Sequence, residues 1–541
     1  MENQVWYQRR KHPRYDVDLN AVLVVSDQYR KQEAACKVKS LSRHGMSVLT
    51  SGSSQIPNDP LKVKVDLPNG KSVMTDLMVV RRDAQAQEQV FGGEMLFGSE
   101  ENRRRINLLL RSLGKTSVSD RRQGDRRQQR THSSVERRKT ERRVDFGVLG
   151  EAVSFQRRSP FWRAEYTFFR QTEKVQPGRI RVNGRDLINY GSRDYLGLAH
   201  HPDVKQAAMD VIEECGVDSG SRAFTGTLAI HEELERELAA FKGYESALVF
   251  SGGYIANVAI LTGLLRAGDV VFFDEKVHAS AMDGCTFSGA KAIPFKHNSL
   301  SDLEKKVKSA PCHRRLLVVN GVYSVQGDLS PLPMIKDFAT VNRIPILLDD
   351  AHGFGILGEN GTGTAEHFGM KGSFELDMGT MAGALGGFGG FVVSKSHVID
   401  YLKHFSRPFL FTTALPPFAA AAMLRSLTIL RADPGLRAKL WGNIMSLRRG
   451  LTDLAIKFWP TESAILAMPV GNEQITYEIV RALESRGIYV NTFVRPAVRR
   501  DLATVRLAVS ASHSDSDILE TLNVFEDIKK LFKTTFVESR T

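Results

Sequence analysis

Cysteine is scarce in this 541-residue chain: Cys36, Cys215, Cys285 and Cys312 are the only four, and no two of them form a CxxC pair. That pattern excludes a disulfide framework and a zinc site of the usual ligand spacing, and it points to a reduced, cytoplasmic protein without a bound metal. No apolar run approaches the ~20 residues that a helix needs to cross a bilayer, so no membrane span is expected. The opening MENQVWYQRRKHPRY lacks the apolar core of a secretory signal. A further absence is local. The glycine-rich stretch GTMAGALGGFGG, residues 379–390, contains no lysine, and its neighbours give that gap a meaning.

What is present is a soluble, globular composition with a basic excess. The formal net charge is +13, and much of it sits in DRRQGDRRQQRTHSSVERRKTERRVD, residues 120–145. There Arg121-Arg122, Arg126-Arg127, Arg137-Arg138 and Arg142-Arg143 each follow an Asp or Glu. The segment is nearly free of apolar residues and cannot bury enough surface to offset the entropy of ordering it. We read residues 116–149 as a solvated linker. Nucleic-acid binding is not expected, because no aromatic residues are interleaved for base stacking. The linker separates a small part, 1–115, from a large one, 150–541.

In the small part, NAVLVV, ACKVKSLS, MSVLT, LKVKVDL, SVMTDLMVV and QVFGGEMLF alternate polar and apolar residues between turn formers such as PNGK. This predicts five to seven strands of a small β-barrel, with ENRRRINLLLRSL as a helix packed on it. Arg10 and Arg14 stand four apart just before the first strand, and SLSRHG, residues 40–45, is a small-polar turn. Together these resemble the PilZ domain, which binds cyclic di-GMP through an RxxxR motif and a downstream (D/N)xSxxG motif. The resemblance implies that Arg10, Arg14, Ser40, Ser42 and Gly45 contact the nucleotide, with Ser40 standing where the family has Asp or Asn. Paired guanidiniums suit that ligand, since each grips phosphate bidentately and stacks on a guanine face.

The large part alternates strands with helices: ESALVF, VVFFDE, RRLLVV, PILLDD and GGFVVS are separated by helical stretches. Such alternation predicts a mostly parallel α/β sheet with its ligands at the carboxyl ends of the strands. The runs INYGSRDYLGLAHHP, DSGSRAFTGTLAIHEELE, VFSGGYIAN, KVHASAMDG, VYSVQGDLSPL, LLDDAHGFGILGENGTG, RPFLFTTALPP and FVRPAV resemble, in that order, the α-oxoamine synthases. These are pyridoxal-phosphate (PLP) enzymes of the aspartate-aminotransferase-like fold (type I), with a smaller C-terminal α+β subdomain. They condense an amino acid with an acyl-CoA and release carbon dioxide. The resemblance implies a homodimer and a set of cofactor contacts. Gly253, Tyr254 and Thr380 would hold the phosphate, His278 would stack on the ring, and Asp349 would pair with the ring nitrogen. His352 would reach the ring hydroxyl, Ser324 would touch the cofactor, and Arg495 would clamp the substrate carboxylate.

The family turn reads approximately GTxxKALGGxGG, and counting three residues from Thr380 lands on Gly383. Glycine can neither bond the cofactor nor take up the substrate's Cα proton, the two tasks of that lysine. Two further departures lie nearby: Asn320, in VNG, stands where the family commonly has Glu, and Arg193 stands where many members have Asn. Two functions are therefore expected. One is a PLP-dependent, acyl-CoA-consuming synthase linked to a cyclic di-GMP sensor. The other is a catalytically silent synthase fold that binds cofactor or acyl-CoA and relays the nucleotide signal to a partner.

Overall fold

The computed structural model describes residues 167–532, except Pro311, His313, Pro496 and Arg500, and the backbone of six strands between residues 15 and 96. Arg10, Arg14, Ser42, the helix expected in ENRRRINLLLRSL and the arginine-rich segment 120–145 lie outside the described residues. The chain divides into two compact units, Met1–Val153 and Ser154–Thr541.

In the first unit, strands β1 (Tyr15–Asp27), β2 (Arg30–Leu41), β3 (Gly45–Thr50), β4 (Leu61–Asp66), β5 (Ser72–Asp83) and β6 (Gln89–Leu96) close into a barrel of order β1-β2-β3-β6-β5-β4. Closure leaves no free sheet edge. Ser40 falls at an irregularity in the β2–β3 register and pairs with Ser47, while Gly45 opens β3 opposite Glu94 of β6.

The second unit begins with a meander of β7 (Lys174–Gln176), β8 (Arg179–Val182) and β9 (Arg185–Asn189). The central sheet follows: β10 (Ser246–Phe250), β11 (Val270–Asp274), β12 (Lys291–Phe295), β13 (Arg315–Asn320), β14 (Ile346–Asp349), β15 (Leu376–Thr380) and β16 (Gly390–Ser394). Their spatial order is β10-β16-β15-β14-β13-β11-β12, and β16 alone runs against its neighbours. A third sheet, β17-β20-β19, is built from β17 (Ile465–Pro469), β19 (Asn491–Phe493) and β20 (Thr504–Ala508). It packs with the helices Glu473–Ser485 and Asp515–Phe532 as the C-terminal α+β part. Strand β18 (Ile488–Tyr489) leaves it to pair with β9.

The inner strands β11, β13, β14 and β16 are mostly apolar because helices cover both faces. Successive side chains alternate between those faces. Val318 and Leu347 join the layer under the helix Gly253–Leu264, whereas Leu317, Val319, Ile346 and Leu348 join the layer under the helices Leu300–Ser309 and Leu332–Val341. This parity decides where the polar residues at the strand ends point.

Candidate active site

Asp349 ends β14 two residues after Leu347, so it faces the helix Gly253–Leu264. Asn257 of that helix donates to Asp349 Oδ2 at 2.8 Å and to Ser280 Oγ at 2.9 Å. Asp350, one residue later, faces the other way, where the buried Lys242 ammonium lies 3.0 Å from it and 2.8 Å from Asp377. The two adjacent acids thus differ in kind. Asp350 has its cation, while Asp349, 1% exposed, has no cationic partner in contact among the described residues. Burial raises its pKa, and His278 and the Asn257 bond oppose that shift.

His278 caps the helix Ala279–Phe287, with Nδ1 2.8 Å from Ser280 Oγ and its ring exposed. Asn320 closes β13 in register with Asp349, and its buried Oδ1 has no hydrogen-bond partner. His352 and Tyr195 share a buried hydrogen bond of 2.9 Å. Burial first, then Arg506, Arg193 and His278, push the His352 pKa well below the usual histidine range, so its imidazole is neutral.

A helix N-terminus without a side-chain cap lies at the neighbouring strand ends. The helix Gly253–Leu264 begins immediately after β10, and no side chain caps its first N–H groups, which leaves the positive end of its dipole available. Thr380, at the end of β15, borders it: a Cβ on Gly253 would lie 3.2 Å from Thr380 Oγ1. Gly390 is confined to glycine because a Cβ there would sit 2.7 Å from the Gly253 backbone. Tyr254 is half exposed, and its hydroxyl bonds Asp283.

Gly383 is different. Its φ lies outside the left-handed region, and an added Cβ would meet Ala351 O at 3.5 Å and the Tyr195 ring at 3.7 Å, which are ordinary contacts. Neither backbone nor space requires glycine there. Lys395 is no substitute. It follows Ser394, which pairs with Ser246 at the far end of β10, and so stands about 16 Å from Gly390 at ~3.3 Å per strand residue.

The structure also brings in a residue that the sequence reading did not select. Arg506, in the middle of β20, is 5% exposed, stacks 4.7 Å over the Phe493 ring and donates to the Ser324 carbonyl. Its Nε is buried without a partner, and no carboxylate pairs with it among the described residues. Burial pushes its pKa below the usual arginine range. Arg193 is exposed but lies near Tyr195, His352 and Arg506. Arg495 is exposed, with its backbone N–H 3.3 Å from Glu473 Oε1; no contact with these residues is found for it. The signal for Arg506 was available in TVRLAVS, where one charge interrupts an apolar strand.

Known proteins resemble this chain in sequence and fold. Residues 185–525 match the family described as aminotransferase class I and II, and residues 8–112 match the PilZ domain. The chain is 39% identical over 355 residues to 8-amino-7-oxononanoate synthase of Thermoanaerobacter pseudethanolicus, covering 65% of this chain and 90% of that one. It is 34% identical to serine palmitoyltransferase of Bacteriovorax stolpii over 68% of this chain and 88% of that one. A lysine-to-alanine variant of the S. paucimobilis serine palmitoyltransferase, solved with a PLP–myriocin aldimine, superposes with a TM-score of 0.69. It is 32% identical, and the match covers 72% of this chain and all of that one. The chain therefore belongs to the class I and II aminotransferase family, in the branch of the PLP-dependent α-oxoamine synthases, and carries a PilZ domain ahead of that fold.

Proposed function

We propose that the large unit binds PLP without a covalent bond and receives an amino acid beside it. The reaction class is that of the α-oxoamine synthases, in which an amino acid and an acyl-CoA condense with loss of carbon dioxide. The observation that carries this reading is a pair of complementary defects on either side of the histidines His278 and His352, since His278 acts on Asp349 and His352 alike and Arg506 acts on His352. Asp349 is a buried anion without a cation, and Arg506 is a buried cation without an anion. Isolated buried charges are costly, so both positions are suited to ligand charges.

The residues fit the cofactor part by part. The pyridinium N–H answers Asp349, the phosphate answers the uncapped Gly253–Tyr254 N-terminus and Thr380, and the exposed His278 ring offers a stacking face. Neutral His352, backed by Tyr195, suits the ring hydroxyl. When bound, PLP supplies an electron sink for the bond broken at the substrate's Cα. Arg506 holds the substrate carboxylate, with Arg193 adding positive charge. The barrel binds cyclic di-GMP through Arg10, Arg14, Ser40, Ser42 and Gly45. A second copy of the chain covers Phe224, Phe388 and Phe411, which are 81%, 55% and 71% exposed.

Gly383 and Asn320 favour the second reading, a silent site that keeps its ligands and relays the nucleotide signal. Release of free CoA thiol from a panel of acyl-CoAs and amino acids, with and without cyclic di-GMP, separates the two readings. Thiol release above a PLP-free control establishes the synthase. Ligand binding without release establishes the silent form.

A further inference from the structure

At the ends of β11 and β12, a cluster outside the machinery described so far joins three segments. His297 follows β12 and stands between two carboxylates: Nδ1 is 3.0 Å from Asp274 Oδ1, and Nε2 is 2.6 Å from Asp328 Oδ2. Asp274 ends β11, four residues before His278. Asp328 lies in the Tyr323–Leu329 turn, which also carries Ser324.

The chemistry of the contact identifies the state of the ring. An ionised carboxylate only accepts hydrogen bonds, and a neutral imidazole has one N–H. A neutral His297 would therefore turn a lone pair toward one of the two aspartates. Asp274 also accepts the backbone N–H groups of Lys276 and Asn298, each at 2.8 Å. Asp328 takes a further bond from Asn298 Nδ2 at 3.3 Å. Contacts at both ring nitrogens call for imidazolium. The other groups facing it are Glu275, which accepts the His297 backbone N–H at 3.3 Å, and the Tyr323 ring, edge-on at 4.4 Å. Burial opposes the charge, but the hydrogen bonds to Asp274 and Asp328 outweigh it and leave the His297 pKa raised.

The turn is held from its other side by Thr461 and Ser463, whose hydroxyls donate to Gly327 O at 2.7 and 2.9 Å. Gly327 has φ +80°, and a Cβ there would meet Ile465 O at 2.7 Å, so glycine is required at this point of the turn. Its Ser324 carbonyl receives the Arg506 guanidinium.

We infer that His297, as a cation, is a positioning residue: it clamps the Tyr323–Leu329 turn to the ends of β11 and β12 and thereby fixes the Ser324 carbonyl that orients Arg506. Only the last link rests on Arg506 as substrate anchor; the clamp stands on its own contacts. Because the folded-state pKa is raised, the stabilisation is fully present below the ordinary histidine value of ~6.5 and is lost as pH rises through the folded value.

The test needs no cofactor. Imidazole ¹⁵N NMR on the full chain, with the His297 signals assigned by their loss in His297→Gln, gives the protonation state. Hydrogen exchange of residues 322–330, corrected for intrinsic pH dependence, gives the state of the turn. In the wild type, His297 should stay doubly protonated to higher pH than an unperturbed histidine, and protection of 322–330 should fall as it titrates. In His297→Gln, protection should drop roughly tenfold or more, the loss of one charge-assisted bond, and lose its pH step. Should that variant fail to fold, Asp328→Asn serves instead: it should move the His297 titration and the loosening of the turn together to lower pH. A neutral His297 at pH 6, a pH step retained in His297→Gln, or an unmoved titration in Asp328→Asn would overturn the inference.

Discussion

Replacing Arg506 by methionine should separate its ligand role from its structural one. Among the described residues the guanidinium is buried, stacked on Phe493 and bonded only to the Ser324 carbonyl, with Nε unsatisfied. Losing that charge-assisted bond costs about 1.5–3 kcal/mol. Removing a buried cation that lacks its anion offsets several kcal/mol in the opposite direction, and methionine keeps most of the apolar contact of the arginine stem. The ligand-free variant should therefore be as stable as the wild type, or more stable by about 1 kcal/mol. Amino-acid binding should behave oppositely. Loss of one charged bond to the carboxylate, worth about 1.5–3 kcal/mol, predicts affinity weaker by roughly 10- to 150-fold. Denaturant unfolding without ligand and absorbance titration of the PLP-loaded protein with amino acids measure the two sides. Arg495→Ala, at an exposed position, should change either quantity by no more than about 0.5 kcal/mol. A variant that loses stability yet binds amino acids as before would refute the assignment of Arg506 to the ligand.

Calorimetry on the full chain should show cyclic di-GMP binding that Arg10→Ala or Arg14→Ala largely removes, since each deletes charge-assisted bonds; equal binding by both variants would contradict the motif. Limited proteolysis should cut first within residues 120–145 and leave two stable fragments, as expected of a segment too polar to pack. Gly390→Ala should destabilise the large unit by about 1–3 kcal/mol, because its Cβ would press on the Gly252–Gly253 backbone. Gly383→Ala should be neutral, or stabilising by up to about 1 kcal/mol, for want of any clash; denaturant unfolding compares the two.

Local pattern made the architecture legible. The alternation in LKVKVDL and SVMTDLMVV corresponds to β4 and β5, and the apolar runs VVFFD, RLLVVN and ILLD are three strands of one sheet. Residues at strand ends were legible for the same reason, since a polar residue closing an apolar run has few other places to go. What stayed hidden depends on contacts distant in sequence. Arg506 acquires its meaning from Ser324 and Phe493, and Lys242 from Asp350 and Asp377, across separations that no local pattern encodes. The pairing of β18 with β9 joins residues about 300 positions apart. The parity that sends Asp349 and Asp350 to opposite faces was present in PILLDD, but only the helices on each face show which acid receives a lysine.

The central claim, a synthase site that holds PLP with no bond to the chain, is tested most directly by borohydride reduction followed by mass spectrometry. Wild type and Gly383→Lys should each be loaded with PLP, reduced, denatured and weighed. The wild type should bind PLP with the absorbance of the free aldehyde and carry no added mass, because no lysine stands at residue 383. Gly383→Lys should fold normally, since its Cβ meets only ordinary contacts, and should retain one cofactor mass on that residue. A wild-type chain that keeps the cofactor mass after reduction would show that another amine reaches the aldehyde and would contradict the claim.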